Sequence, residues 1–490
     1  MSKPKKFDRN LIVIGAGSAG LVSAYIAAAV KASVTLVESG PMGGDCLNTG
    51  CVPSKALIKC ARVARQAREA ERFGVRLPEP EIDFPAVMRH VRVSIEAIEP
   101  HDSVERYTGL GVDVVQGRAQ LVDPWTVRIQ LNGGGEQVLT ARAIILATGA
   151  EPVVPPLPGI DEVRYVTSET LWERFAGLER VPEKFVVLGG GAIGCELAQA
   201  FGRLGSNVTL VEMAPRLLPA EDAEVSDAVE EALAAEGITV LTGCKATAFA
   251  PGERDGGRVT VSDSSGETEL EFDQLLLALG RRPRVTGFGL EELGLLDDGR
   301  LHTDDFLRTE FSHILAAGDL VGPYQFTHMA SHQAWYAAVN GLFGDLKKFS
   351  VDYSLVPRAV FVDPEVAGVG LTEHRASAEG IPYTVTRYDL EDLDRAIVEG
   401  AARGFVKVLT VPGKDRILGA TIVGENAGEL IAEFVVAMKH GLGLNKLLGT
   451  IHIYPTMMEA NRSVAGGWKR AHAPQGVLRW LERFHRWRRG

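Results

Sequence analysis

The sequence predicts an α/β protein with two Rossmann-like dinucleotide-binding units followed by a separate α+β domain. Three observations carry that reading: a strand, glycine-turn and helix segment that occurs twice, short apolar strands bounded by turn signals, and a length of 490 residues. Single hydrophobic cores stop growing near ~250–300 residues, so the chain must divide. Hydrophobic content of 46% with 23% charged residues is that of an ordinary globular chain and excludes disordered, collagenous and coiled-coil classes. A spanning helix needs ~18 or more consecutive apolar residues. The longest such run, Leu21 to Val30, is too short, rich in Ala and interrupted by Ser23 and Tyr25. The first ten residues are charged and lead into Leu11-Ile12-Val13-Ile14 with no signal-type apolar segment, so a cytoplasmic location is expected.

The first repeat runs from Leu11 to Ile14 into Gly15-Ala16-Gly17-Ser18-Ala19-Gly20, a buried strand opening through GxGxxG into a helix. The second runs from Phe185 to Leu188 into Gly189-Gly190-Gly191-Ala192-Ile193-Gly194. Val34-Thr35-Leu36-Val37-Glu38 then recurs letter for letter as Val208-Thr209-Leu210-Val211-Glu212, each Glu lying 23 residues after the first Gly of its unit. One GxGxxG is weak evidence, but two full units with the acid in register are strong. The first Gly allows the tight turn, the second admits a pyrophosphate at the helix N-terminus and the third lets helix pack on strand, while the Glu accepts from a ribose hydroxyl.

Further elements follow in order. An apolar strand from Ala143 ends in Thr148-Gly149, and the Pro-rich stretch Pro152 to Pro158 marks a crossing between domains. His313 to Asp319 is another apolar strand, read as a return to the first domain, which makes the second nucleotide unit an insertion. Beyond about residue 350 the pattern changes to strands such as Ala359 to Val362 and Gly404 to Val408, with an Ala/Val-rich helix near 428–440. Val477, Trp480, Leu481, Phe484 and Trp487 recur at helical spacing, predicting an amphipathic helix over 476–489 with arginines largely on its other side; the stripe either packs on the protein itself or across a dimer, or lies on an anionic membrane surface.

Charge and cysteine usage narrow the function. The net charge of −11 argues against nucleic acid as the main partner. Residues 466–490 depart from the rest, with seven basic residues against the single acid Glu482, so the tail carries +6 and the remainder −17. Five cysteines (46, 51, 60, 195 and 244) do not suit a secreted disulfide framework. Cys46 and Cys51 lie in Gly43-Gly44-Asp45-Cys46-Leu47-Asn48-Thr49-Gly50-Cys51-Val52-Pro53-Ser54-Lys55, where Pro53 marks the start of a helix towards Phe73. A helix N-terminus with Lys55 one turn on is expected to lower a thiol pKa and favour redox exchange. The other reading of the spacing is a pair of buried apolar cysteines, and a metal site would need two further ligands that no nearby spacing supplies. Cys60, Cys195 and Cys244 are read as core, and His328 and His332, four apart on a helix, as packing residues with no third ligand.

The GGDCLNTGCVPSK segment with the two GxGxxG units resembles the FAD-dependent pyridine nucleotide-disulfide oxidoreductases, the family of dihydrolipoyl dehydrogenase, glutathione reductase and mercuric reductase, over residues 10 to about 465. The resemblance implies FAD on Gly15, Gly17, Gly20 and Glu38, with Thr148 and Gly149 also at that cofactor and Asp319 at its ribityl side. It implies NAD rather than NADP on Gly189, Gly191, Gly194 and Glu212, with Gly280-Arg281-Arg282-Pro283 closing that domain; Arg216, four residues after Glu212, would soften the preference. Cys51 would face the flavin, Cys46 the substrate, and Lys55 would pair with Glu196 near the flavin. The implied division is an FAD domain at 1–152 and 283–348, an inserted NAD domain at 153–282, a dimerisation domain at 349–465 giving a homodimer, and a basic tail at 466–490. The C-terminal acid/base His of the family is replaced by Tyr454 in His452-Ile453-Tyr454-Pro455-Thr456-Met457-Met458-Glu459, while Glu459 is kept. A phenol is a poor base at neutral pH, which puts dithiol chemistry in doubt and leaves His452 as an alternative base. No cysteine follows Cys244, so the metal-receiving C-terminal pair of mercuric reductases is missing. The expected function is electron transfer between nicotinamide, flavin and a disulfide, dithiol or related acceptor; an authentic dihydrolipoyl dehydrogenase, a mercuric reductase-like enzyme and a membrane-surface electron carrier docked by the tail are the alternatives.

Overall fold

A computed structural model describes residues 3–252 and 256–490. The chain forms two compact units, the first made of residues 1–189, 200–211 and 245–352 and the second of 190–199, 212–244 and 353–490.

The first unit starts with β1 (Arg9–Ile14), α1 (Ser18–Ala29) and β2 (Val34–Glu38), then α2 (Gly44–Asn48), α3 (Cys51–Glu69), α4 (Phe84–Ile98), β3 (Asp113–Asp123), β4 (Thr126–Leu131) and β5 (Glu136–Leu146). Strand β1 is central: it pairs in parallel with β2, Leu11 opposite Val34, and with β5, Leu11 opposite Ala143. Leu11, Ile12 and Val13 are wholly buried because helices and further strands cover both faces of a parallel sheet, which is why the segment reads as a continuous apolar run. β3 extends the sheet beyond β2 and turns back through β4 to β5 in antiparallel pairing. Helix α3 starts at Cys51 rather than at Pro53 and ends at Glu69, with a 3₁₀ turn over Ala70–Phe73. Pro53 is tolerated there because the first turn has no intrahelical partner for its N–H groups.

The chain continues through β6 (Ala150–Pro152), β7 (Lys184–Leu188), α5 (Ala192–Arg203), β8 (Asn207–Glu212), α6 (Ala223–Ala235), β9 (Gln274–Leu277), β10 (Arg281–Pro283), β11 (Ile314–Ala316) and α7 (Thr327–Phe343). Strands β8, β7 and β9 form the parallel core of a second sheet, Lys184 opposite Asn207 and Phe185 opposite Gln274. The two crossings into and out of this segment run side by side, β6 antiparallel to β10 with Pro152 opposite Arg281. After them, β11 joins the first sheet beside β5, Ile314 opposite Ile144. Ala residues of α1 and α7 (Ala24, Ala27, Ala334, Ala337) pack in one cluster with Leu11 and Leu315.

In the second unit five antiparallel strands, β12 (Arg358–Val360), β13 (Val366–Gly370), β14 (Thr384–Asp389), β15 (Phe405–Thr410) and β16 (Ile417–Val423), take the order β12-β13-β16-β15-β14. Helices α8 (Ala427–Lys439) and α9 (Glu459–Ala471) share one core with this sheet through Phe434, Val464 and Trp468. All of β15 is buried, Lys407 included at 1% exposure, and its ammonium meets Asp222 at 2.7 Å, Glu373 at 2.9 Å and Glu224. Helix α10 (Gln475–Arg489) begins one residue before the sequence-based boundary and has no buried residue.

Candidate active site

The two units share the geometry of their first glycine and of their acidic strand end. Gly15 and Gly189 both adopt positive φ, +102° and +109°, and a Cβ on either would lie 2.3 Å from a carbonyl oxygen, that of Ala147 or Ala278. A Cβ on Gly20 would fall 1.7 Å from the Gly15 oxygen, so the third glycine is what lets α1 close on the turn. Glu38 accepts from the Ala16 and Gly40 amides at 2.6 and 2.7 Å. Glu212 accepts from the Gly190 and Ala214 amides at 2.6 Å each. Both carboxylates are thereby fixed at their strand ends beside a helix N-terminus.

A cavity of about 1360 Å³ extends from the Gly15–Gly17 turn and Glu38, past Thr148 and Gly149, to Asp319. Its volume exceeds the ~300–1,000 Å³ of ordinary small-ligand sites and suits an extended dinucleotide. A Cβ on Gly17 would meet nothing closer than Gly44 Cα at 3.8 Å, which leaves the backbone open to a pyrophosphate. Burial pushes the Asp319 carboxyl up to about 6, against the pull of Arg281, with Asp45 and Cys51 adding to the rise.

The cysteines lie together. Cys46 is in α2, Cys51 opens α3, and the two side chains are in hydrogen-bond contact. Cys51 Sγ is 3.3 Å from Oγ1 of Thr327, the first residue of α7, so the positive ends of two helices converge on the pair. The expectation of lowered thiols fails at Cys46, whose pKa is pushed far up by its contact with Cys51 and then by burial. The physical reason is proximity and burial: Cys46 lies against the second sulfur and is more buried than Cys51, and these outweigh the helix ends. Beside Cys46, Asp45 pairs with Arg281, which also donates to the Ala150 oxygen at 2.7 Å, while Arg284 donates to Glu169 at 2.7 Å. Sequence reasoning quoted Asp45 and Arg281 within their motifs but did not connect them.

Residues 9–334 match the pyridine nucleotide-disulphide oxidoreductase family and residues 356–465 its dimerisation domain. The chain belongs to this family. A mercuric reductase of Streptomyces lividans is 37% identical over 93% of the chain and 95% of the relative. The dihydrolipoamide dehydrogenase of Chaetomium thermophilum is 36% identical over 94% and 90%. Among solved structures, LpdA from Mycobacterium tuberculosis superposes with a TM-score of 0.84 at 27% identity, covering 93% of this chain and 99% of that one. A Cu(II) complex of the HOCl-induced flavoprotein disulfide reductase RclA from Escherichia coli gives 0.82 at 27%, covering 94% and 99%. The protein is therefore an FAD-dependent NAD(P)H oxidoreductase of the disulfide class, and its dimerisation domain supports a homodimer.

In this oxidoreductase the other expected site residues fall as follows. Tyr454 is 67% exposed and donates its hydroxyl to Asp394 at 2.9 Å, and that carboxylate pushes the phenol pKa up. Glu459 is the first residue of α9. The His452 side chain is 4% exposed, with Nε2 facing the Glu433 carboxylate at 2.9 Å and Nδ1 facing the Thr450 carbonyl at 3.0 Å. Lys55 is half-buried on α3, and Glu196 is buried and accepts from the Phe361 amide at 2.9 Å. Cys195 and Cys244 are core, as expected, but Cys60 is only half-buried, because its position on α3 borders a solvated face. His328 stacks on Phe326 and His332 meets Tyr336 edge-on. Among the described residues no group of three or more His, Cys, Asp or Glu could hold a metal ion, and no helix is long and apolar enough to cross a membrane.

Proposed function

We propose that this oxidoreductase takes electrons from NADH and delivers them at Cys46 and Cys51 to a soft metal ion in preference to lipoamide or glutathione disulfide. The observation that carries this reading is the Tyr454 phenol, already donating to Asp394, in the position of the family's base. Disulfide exchange at Cys46 requires a thiolate there and a proton for the departing thiol. The base must be unprotonated at neutral pH to accept the thiol proton, and the Tyr454 phenol, raised above its ordinary value and donating its own proton to Asp394, is not. A soft cation needs no such base, because ligation itself displaces the thiol protons. Each NADH supplies the two electrons taken up by one Hg(II) or two Cu(II). The mercuric reductase relative and the Cu(II) complex of RclA support this choice of acceptor. With no cysteine after Cys244, the ion must reach the pair directly.

In this reading Gly15, Gly17, Gly20, Glu38, Thr148, Gly149 and Asp319 hold FAD, which when bound supplies hydride acceptance on one side and electron transfer to sulfur on the other. Gly189, Gly191, Gly194, Gly280 and Glu212 hold NADH; the Glu212 carboxylate accepts from a ribose 2′-hydroxyl and repels a 2′-phosphate. Lys55 and Glu196 steady the flavin side. In the homodimer, Tyr454 of each subunit meets the Cys46 of the other. His452 serves packing, since both its ring nitrogens already face acceptors. The enzyme works in the cytoplasm, with a peripheral lipid contact through α10.

Steady-state oxidation of NADH and NADPH against dihydrolipoamide (in reverse), glutathione disulfide, Hg(II), Cu(II) and quinones tests the reading. The expected result is a higher kcat/KM with NADH, turnover with a metal ion, and slow dihydrolipoamide oxidation that Tyr454→His raises ~100-fold or more, the scale of a positioned general base. Wild-type dihydrolipoamide activity above that with every metal ion would reject it.

A further inference from the structure

Helix α10 presents a problem of its own. It has fifteen residues, none of them buried, and an isolated helix of ~12–15 residues is marginal in water unless an amphipathic face is covered. Its apolar face is continuous: Trp480 stacks on Phe484 with ring centroids 5.6 Å apart, Phe484 meets Trp487 at 6.1 Å, and Val477, Trp480 and Trp487 are 50%, 60% and 75% exposed. At 100° per residue, Arg479, Arg483, Arg486 and Arg489 gather on the opposite half of the wheel. Arg488 alone falls within the apolar arc, in the last turn, with its guanidinium over the Phe484 ring at 5.8 Å.

We infer that α10 docks the enzyme on an anionic phospholipid surface, lying in the plane of the interface. The inference deepens the peripheral contact proposed above and is independent of the acceptor. Charge complementarity selects the occupant together with the separation of the two faces. A protein surface that covered the aromatic ridge would leave the arginines in water, and an acidic protein surface that paired the arginines would leave the tryptophans there. A lipid headgroup layer satisfies both at once: indole rings settle at headgroup depth while the arginines of the other half, on side chains long enough to snorkel, stay in water within reach of the anionic surface. The tail carries +6 against −17 for the remainder, so an anionic surface attracts this end and repels the body. Residues 466–490 also lie beyond the matched dimerisation domain, which ends at 465.

The test uses the full-length holoenzyme in vesicle sedimentation. Vesicles of phosphatidylcholine with about 30% phosphatidylglycerol are expected to bind it at low salt, while phosphatidylcholine alone does not, in keeping with an electrostatic contribution from several cations. Binding should fall at least ~10-fold at 0.5 M salt and in R479Q/R483Q/R486Q, since exposed charges are screened beyond a few ångströms there. W480A/W487A should weaken it, and deletion of 470–490 should abolish it, with FAD content and NADH oxidation retained. No sedimentation with anionic vesicles, equal binding to neutral ones, or binding that survives the deletion would overturn the inference. So would a shift of the deletion variant from dimer to monomer by ultracentrifugation without vesicle binding by the intact chain, which would place the ridge between subunits. None of these results bears on the acceptor, which the NADH assays decide separately.

Discussion

Asp319, proposed above as a flavin-side residue, is held at the expense of stability. Its carboxyl is raised from 3.8 to about 6 mainly by burial, so the folded protein disfavours the ionised form. That cost is absent well below pH 3.8, grows as pH rises, and is complete above about 6, where a shift of this size corresponds to up to about 3 kcal/mol. Asp319→Asn should therefore stabilise the apoprotein at pH 8 by up to that amount and by only about 1 kcal/mol at pH 4.5, read from denaturant melts at the two pH values. A gain that does not depend on pH would show that the ionised carboxylate is not the source. The same variant should release FAD more readily. The Gly-Asp ending of an apolar strand made Asp319 legible in the sequence. Its electrostatic neighbours were not legible, because Arg281 and Asp45 are 236 residues apart and only the folded chain places them together beside Cys46.

At the scale of elements, hydrophobic pattern and glycine spacing located β1, β2, β7 and β8 because a parallel strand buried on both faces leaves no other reading of such a run. Boundaries moved where local chemistry decided them, as at α3, which starts two residues before its proline. Strand β15 was legible as a strand but Lys407 within it was not, since a lysine in an alternating strand ordinarily faces water. Its burial is settled by carboxylates from distant elements, Asp222 before α6 and Glu373 on the short helix after β13, and these raise its pKa against the effect of burial. Lys407→Met would keep most of the volume but strand those carboxylates without a cation, a loss of roughly 3–5 kcal/mol. Chemical denaturation should show that loss with the Gly189–Gly191 turn intact. A change below about 1 kcal/mol would mean that water reaches the carboxylates and the network contributes little.

At the scale of the molecule, the duplicated nucleotide unit was the most legible feature, because a repeat of sequence is a repeat of geometry down to the amides that hold Glu38 and Glu212. Assembly is the least legible, since one chain's sequence does not say which surface meets its copy. Ile451, Ile453 and Tyr454 are 97%, 78% and 67% exposed in the single chain, an apolar strip within the dimerisation domain that a second copy would cover. If each active site is completed across a two-fold interface, two inactive variants should complement. On the proposed reading, Cys46→Ser removes the substrate-facing sulfur, and Tyr454→Arg puts a bulky cation where the acceptor enters. In a mixed dimer one site then carries both lesions and the other carries neither. Random reassortment makes half the dimers mixed, each with one working site of two, so about one quarter of wild-type turnover should return after co-refolding equal amounts. Sites contained within single subunits would stay inactive in every combination, because each subunit carries its own lesion, and a co-refolded mixture with no recovered turnover would place Tyr454 away from the other subunit's Cys46.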